Sequence, residues 1–172
     1  MSGFKNPISA LILIHTPALD VLLLERASHP GFWQSVTGSL EDGETARAAA
    51  CRETAEETGI TVPATQLHDW HLSNRYEIFH EWRHRYAPGT THNLEHVFSL
   101  CVPTGTKVTV AAREHLGYCW CPWQEAAQRV FSWSNRDALL MLPQVFQAAP
   151  DVEPGADEAE TTTRRAARHS GQ

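Results

Sequence analysis

Glu53, Glu56 and Glu57 lie in a run of helix formers, Thr45 to Thr58. On an α-helix, positions i, i+3 and i+4 fall within about 100° of one another, so the three carboxylates are expected on one face. Like charges this close repel by a few tenths of a kcal/mol per pair even in water. Arg52, one turn before Glu56, offsets one of them at most. A hard divalent cation such as Mg²⁺, with Mn²⁺ as a substitute, takes carboxylate oxygens and keeps water positions free for a phosphate group. The opposite face carries Ala48, Cys51, Ala55 and Thr58, which are small and would let the helix approach a sheet with its acidic face outward. Three glutamates taken alone are more often a solvated helix face. The wider spacing decides between the two.

Upstream, Gly38-Ser-Leu-Glu-Asp-Gly-Glu44 is a polar, glycine-bearing loop that delivers backbone groups and Glu44 to the same end of the helix. Gly38, five residues, Glu44, seven residues, Arg52-Glu53, then Glu56-Glu57 and Gly59-Ile60 reproduce the pattern Gly-x5-Glu-x7-Arg-Glu-U-x-Glu-Glu-x-Gly-U. This resembles the box of the Nudix hydrolases, with one departure. Thr54 stands where the pattern has a bulky aliphatic residue.

Other segments resemble a bacterial branch of that family which acts on dihydroneopterin triphosphate in folate synthesis. They are Phe32-Trp-Gln-Ser-Val-Thr-Gly-Ser39, Tyr76-Glu-Ile-Phe79, Arg83-His-Arg-Tyr-Ala-Pro-Gly89, Glu114-His-Leu and Ser132-Trp-Ser-Asn-Arg136. The resemblance runs from about Lys5 to Phe146 and implies a Nudix fold and a Mg²⁺-dependent pyrophosphohydrolase. It places Glu53, Glu57 and Glu114 at metal-ligand positions with Glu56 beside them, and the catalytic expectation is that Glu53, Glu56, Glu57 and the Gly38 carbonyl hold one or more Mg²⁺ ions. Glu114 is either a ligand or the base that takes the water's proton, and Arg52 orients the carboxylates through Glu44. Lys5, Arg26, Thr37, Tyr76, Glu77, Ile78, Phe79 and Ser132 match positions lining the substrate pocket. Lys5, Arg26, Arg83 and Arg85 can meet a triphosphate, and Trp33, Tyr76, Phe79 and Glu77 can meet a pterin, with Glu77 accepting from its amino edge. The alternative substrate class is the (d)NTPs, hydrolysed in a housekeeping role.

A competing pattern is present. His80-Glu-Trp-Arg-His84 satisfies the H-E-x-x-H motif, which on a helix gives a zinc site with a general-base glutamate. Ten histidines make such a pair cheap, and the segment reads as a strand running into Pro88-Gly89. Glu95 is a further acidic strand residue that could approach the metals.

The elements that must hold these groups read β-β-β-α-β-β-β-α-α, an α/β class chain folded as an α/β/α sandwich around a mixed β-sheet. Strands are expected at 7–15, 21–26, 32–37, 70–86, 94–102 and 116–120, and helices at 45–58 closed by Gly59, from Pro122 to about Val130, and from a Ser134 or Asn135 cap to about Phe146. The domain is expected over 1–147. The segment 148–172 has no large apolar residue except Val152 and reads as a disordered tail. With 172 residues, 42% of them hydrophobic, the chain can build a full core without disulfides, and Cys51, Cys101, Cys119 and Cys121 form no C-x-x-C pair. A formal net charge of −6 argues against a nucleic-acid partner. The longest apolar runs fall short of a membrane span, and Lys5 precedes a short apolar stretch with no cleavage site, so a cytoplasmic monomer acting on a small-molecule triphosphate is expected.

Overall fold

The computed structural model describes residues 3–148; the predicted tail lies outside them, apart from Ala148 at the end of the last helix. Strand β1 (Ile8–His15) is the axis of a seven-stranded mixed sheet. It runs parallel to β6 (His92–Cys101) in unbroken register from Ile8 opposite Leu94 to His15 opposite Cys101. Its other edge is shared. β4 (Val36–Ser39) pairs with its first half, and β2 (Asp20–Arg26) meets it only where His15 faces Val21 before turning away to pair with β3 (Trp33–Gln34) and β7 (His115–Pro122). β5 (His68–Glu77) closes the far edge against β6.

Sheet burial on both faces explains the continuous apolar run in β1. Ala10, Ile12 and Ile14 face α1 (Ala46–Thr58) in a core with Leu22, Leu24, Phe98 and Leu100. Leu11 and Leu13 face the other way, into a core with Leu23, Val97 and the helices α2 (Trp123–Arg129) and α3 (Trp133–Ala148), from which Ala126, Leu139 and Leu142 come. The α/β/α sandwich is as expected.

Four local expectations are corrected. The 32–37 strand breaks at Ser35, whose N–H donates to Asn135 Oδ1 (2.8 Å) while Asn135 Nδ2 donates to Ser35 Oγ (2.9 Å), so a helix side chain replaces the ladder at that point. The 70–86 strand ends at Glu77. Residues His80–Arg85 form a 3₁₀ turn whose aromatics pack on one another, with Phe79 edge-on to Trp82 at 5.0 Å. α3 starts at Trp133, with Ser132 Oγ accepting from the Asn135 N–H (3.3 Å), so Ser134 and Asn135 are buried first-turn residues and Ser132 is the cap. The buried stripe of α1 is Ala49, Ala50, Thr54, Glu57 and Thr58, whereas Ala48 is exposed. Thr45 caps α1, and Gly59, at φ 71°, ends it in the left-handed conformation that favours glycine.

Candidate active site

The rotation of α1 separates the three glutamates. Glu56 points to solvent, Glu53 is mostly covered, and Glu57 is 3% exposed, turned under the helix toward the sheet. Thr54, the departure from the box, is fully buried and uses its hydroxyl to donate to the Ala50 carbonyl (2.7 Å), so the polar atom is satisfied where a bulkier aliphatic residue would sit.

Arg52 is the hub of the exposed side. Its Nε donates to Glu44 Oε1 (2.9 Å) and its Nη2 to Glu44 Oε2 (2.8 Å), a two-point grip that holds the Glu44 carboxyl below its usual range and raises the guanidinium's own pKa. Arg52 Nη1 donates to Glu53 Oε1 (2.7 Å) and reaches Glu56 Oε2 (3.3 Å), while Nη2 also donates to the Ser39 carbonyl (3.0 Å). One guanidinium thus ties the loop, Glu53 and Glu56 together.

Glu53 lies flat against Gly38. A Cβ at position 38 would occupy the space of the Glu53 carboxyl carbon and both its oxygens, so only glycine leaves that carboxylate where it lies. Burial pushes Glu53 up to about 7, with Arg52 opposing the shift and Glu57 adding to it. Glu57 moves the same way, because burial outweighs the neighbouring His115 ring.

Glu57, Glu114 and His115 offer ligand atoms within 4.8 Å of one another. Glu57 Oε2 lies 3.5 Å from His115 Nε2, and neither atom nor His115 Nδ1 has a hydrogen-bond partner among the described residues. A buried carboxylate oxygen without a donor is costly. A cation relieves that cost, and the donor set of Glu53, Glu57 and Glu114 with its hard oxygens fits a divalent one.

Two clefts meet at this cluster. A polar one of about 540 Å³ is lined by Lys5, Gly38, Glu41, Arg52, Glu53, Glu57 and Glu114. A larger one of about 760 Å³ shares Lys5, Thr37, Gly38, Glu57 and Glu114 with it and extends past Arg26 and Arg85 to Tyr76, Phe79, Trp82, Phe131 and Trp133. Arg26 Nη1 donates to Gln34 Oε1 (2.9 Å), and its guanidinium lies 5.1 Å from the Trp82 ring centre and 5.8 Å from that of Phe131. Burial lowers the pKa of both Lys5 and Arg26, with the Arg85 charge adding to each shift. The site is therefore electropositive in its middle, acidic at one end and aromatic at the other.

Of the predicted residues, Glu53, Glu57, Glu114, Arg52 and Gly38 come together, as do Lys5, Arg26, Thr37, Tyr76, Glu77, Ile78, Phe79 and Ser132 around the larger cleft. Glu56, expected as a metal ligand, lines neither cleft: its place on α1 turns it to solvent, where it meets Arg52 instead. Glu77 is at the margin, exposed, with its carboxylate bound by Arg83 Nη2. Trp33 packs into the α2/α3 core rather than forming a platform. His80, Glu81 and His84 are exposed in the 3₁₀ turn, where three residues per turn place positions i and i+4 about 120° apart, and they form no metal cluster among the described residues. Glu95 is buried in the aromatic end of the larger cleft, away from the metal cluster. Sequence reasoning assigned no role to His115, Phe131 or Asn93. For Asn93 the available signal was a polar residue at an inward-facing position of a strand, in phase with Val97.

This fold and this cluster define a Nudix enzyme. The NUDIX domain family model matches residues 5–142, and the chain belongs to the Nudix family of hydrolases. It is 46% identical over 139 residues to the dihydroneopterin triphosphate diphosphatase of Escherichia coli K12, covering 79% of this chain and 91% of that protein. The enzyme of the same name from Haemophilus influenzae is 39% identical over 142 residues, covering 81% and 89%. The structure of the E. coli dihydroneopterin triphosphate pyrophosphohydrolase superposes with a TM-score of 0.74 at 46% identity, covering 80% of this chain and 94% of that one.

Proposed function

We propose that the chain hydrolyses 7,8-dihydroneopterin 3'-triphosphate to the monophosphate and pyrophosphate, acting as a cytoplasmic monomer with Mg²⁺ as its cation and Mn²⁺ as a substitute. The observation that carries this reading over a general (d)NTP pyrophosphatase is the pair of relatives that bear this activity's name and align over nearly their whole length. The cleft supports it. Its aromatic end suits a fused ring, its Lys5, Arg26 and Arg85 suit a polyphosphate, and its carboxylates end the line.

In this reading Glu53, Glu57 and Glu114 hold the cation, joined by the carbonyl of Gly38. Such a cation, when bound, draws charge from the phosphate oxygens and makes bound water acidic. Arg52 favours the ionised form of Glu53 against its burial and holds it in place, and Glu44 keeps Arg52 in place. Lys5, Arg26 and Arg85 bind and orient the phosphate chain, so attack is in line rather than at random. A carboxylate oxygen of this cluster takes the proton of the attacking water, and Glu114, the exposed member, has the access to do so and then pass it to solvent. His115 Nε2 lies 3.5 Å from Glu57 Oε2, at the edge of the ligand cluster.

The test is pyrophosphate release from dihydroneopterin triphosphate, dATP, dGTP and ADP-ribose under equal conditions. The reading requires the highest kcat/KM on dihydroneopterin triphosphate. An equal or higher value on dATP returns the general (d)NTP role.

A further inference from the structure

Two buried acceptors at the aromatic end of the larger cleft take no part in the chemistry above. Asn93 and Glu95 are two apart on β6, so they project from the same face, and they are 2% and 4% exposed. Asn93 Nδ2 donates to Ser9 Oγ (2.7 Å) and to Tyr76 Oη (3.1 Å), which commits the amide nitrogen and turns Oδ1 away from both. Asn93 Oδ1 then has no donor among the described residues. Tyr76 Oη in turn donates a long bond to Glu95 Oε2 (3.4 Å), the Ser134 and Asn74 side chains lie beside the carboxyl and favour its ionised form, and Glu95 Oε1 makes no hydrogen bond of good geometry among the described residues. Both residues line the cleft. Tyr76 faces Asn93 across the β5–β6 ladder, and its ring meets the edge of Trp133 at 6.5 Å.

We infer that Glu95, with Asn93 beside it, is the specificity-determining end of the cleft and reads the amino-pyrimidinone edge of a fused ring, the edge that a pterin and a guanine share. This rests on the proposed function for the phosphate end only. The chemistry is direct. Such an edge presents two adjacent donors, a ring N–H and an exocyclic amino group, which a carboxylate accepts in parallel. Adenine presents an amino donor beside a bare ring nitrogen, which would face a carboxylate lone pair. Glu77, by contrast, is exposed at the margin of the cleft, with its carboxylate paired to Arg83.

The experiment separates ring recognition from turnover. Binding of neopterin to the full chain is compared by calorimetry with that of its 2-oxo analogue, in which oxygen replaces the amino group. An unpaired buried polar group costs about 1–3 kcal/mol, which converts to roughly 5- to 150-fold weaker binding of the analogue. The Glu95→Gln variant, whose amide turns one acceptor into a donor, loses neopterin affinity by a similar factor, and its ratio of kcat/KM on dihydroneopterin triphosphate to that on dATP falls with it. Equal affinity of the wild type for the two ligands overturns the inference with no need of a variant, as does an unchanged ratio in a folded Glu95→Gln protein. If the wild type prefers neopterin but releases no pyrophosphate from the triphosphate, the ring site stands and the proposed function fails.

Discussion

Arg52 holds Glu44 at two points, Nε to Oε1 at 2.9 Å and Nη2 to Oε2 at 2.8 Å, and this fixes the nitrogen that meets Glu53. Arg52→Lys keeps the charge and loses the fork. Loss of such an outer partner typically costs 10- to 100-fold in activity or metal affinity. A kcat lowered about that much, with higher half-saturating Mg²⁺ and an unchanged circular dichroism spectrum, is expected. Unchanged Mg²⁺ dependence would show that the fork is only structural.

Glu57→Gln removes a ligand carboxylate while keeping its shape. Turnover should fall by at least ~10³, several kcal/mol of lost charge stabilisation, and EDTA should abolish wild-type activity with Mg²⁺ restoring it. Near-normal turnover would remove Glu57 from the metal site. Restoration by Zn²⁺ alone, together with inactivity of His80→Ala, would revive the histidine motif.

Gly38→Ala places a methyl group where the Glu53 carboxylate lies. The carboxylate must move by about an ångström, and a displacement of that size costs about 10²-fold. Pairing this variant with Glu53→Gln in a double-mutant cycle should give losses far from additive, because both act on one group. Additive losses would separate the two positions.

The Glu53 carboxyl is held up to about 7 in the folded chain, against an ordinary value near 4.5. Its folded state therefore binds the proton more tightly than the unfolded chain does. The stability this gives is complete below about pH 4.5 and is lost as pH rises toward 7. Relative to Glu53→Gln, the metal-free wild type should lose melting temperature between pH 5 and pH 8, and Mg²⁺ should restore it at pH 8 far more than at pH 5. Parallel melting curves for the two proteins would contradict the burial argument.

Much of the site was legible because the box fixes spacing, and spacing on a helix fixes angle. Depth was less so. Glu53, Glu56 and Glu57 look alike in sequence, and only packing of Ala49, Ala50 and Thr54 against the sheet turns Glu57 inward and leaves Glu56 outside. Depth at the ring end was hidden for a related reason. Glu77 and Glu95 are both strand glutamates, but the chain leaves β5 just after Glu77, where Arg83 of the following 3₁₀ turn captures it, and nothing local in the sequence foretells that turn. The aromatic run 79–86 satisfied strand preferences while its rings found one another instead.

The parallel pairing of β1 with β6 also sets a timetable. β1 is complete at His15, yet the partner for its whole length ends at Cys101, so a ribosome must deliver some 85 further residues before that edge can close. Until then Leu11 and Ile12 have only β4 to pair with, and Leu13 and Ile14 lie between that pairing and the single β2 contact at His15. Long-range closure of this kind is slow and leaves a strand edge open to other chains. A nascent chain stalled before residue 92 is thus the species that a holding chaperone would be expected to grip, through the segment that ends as the most deeply enclosed strand of the enzyme.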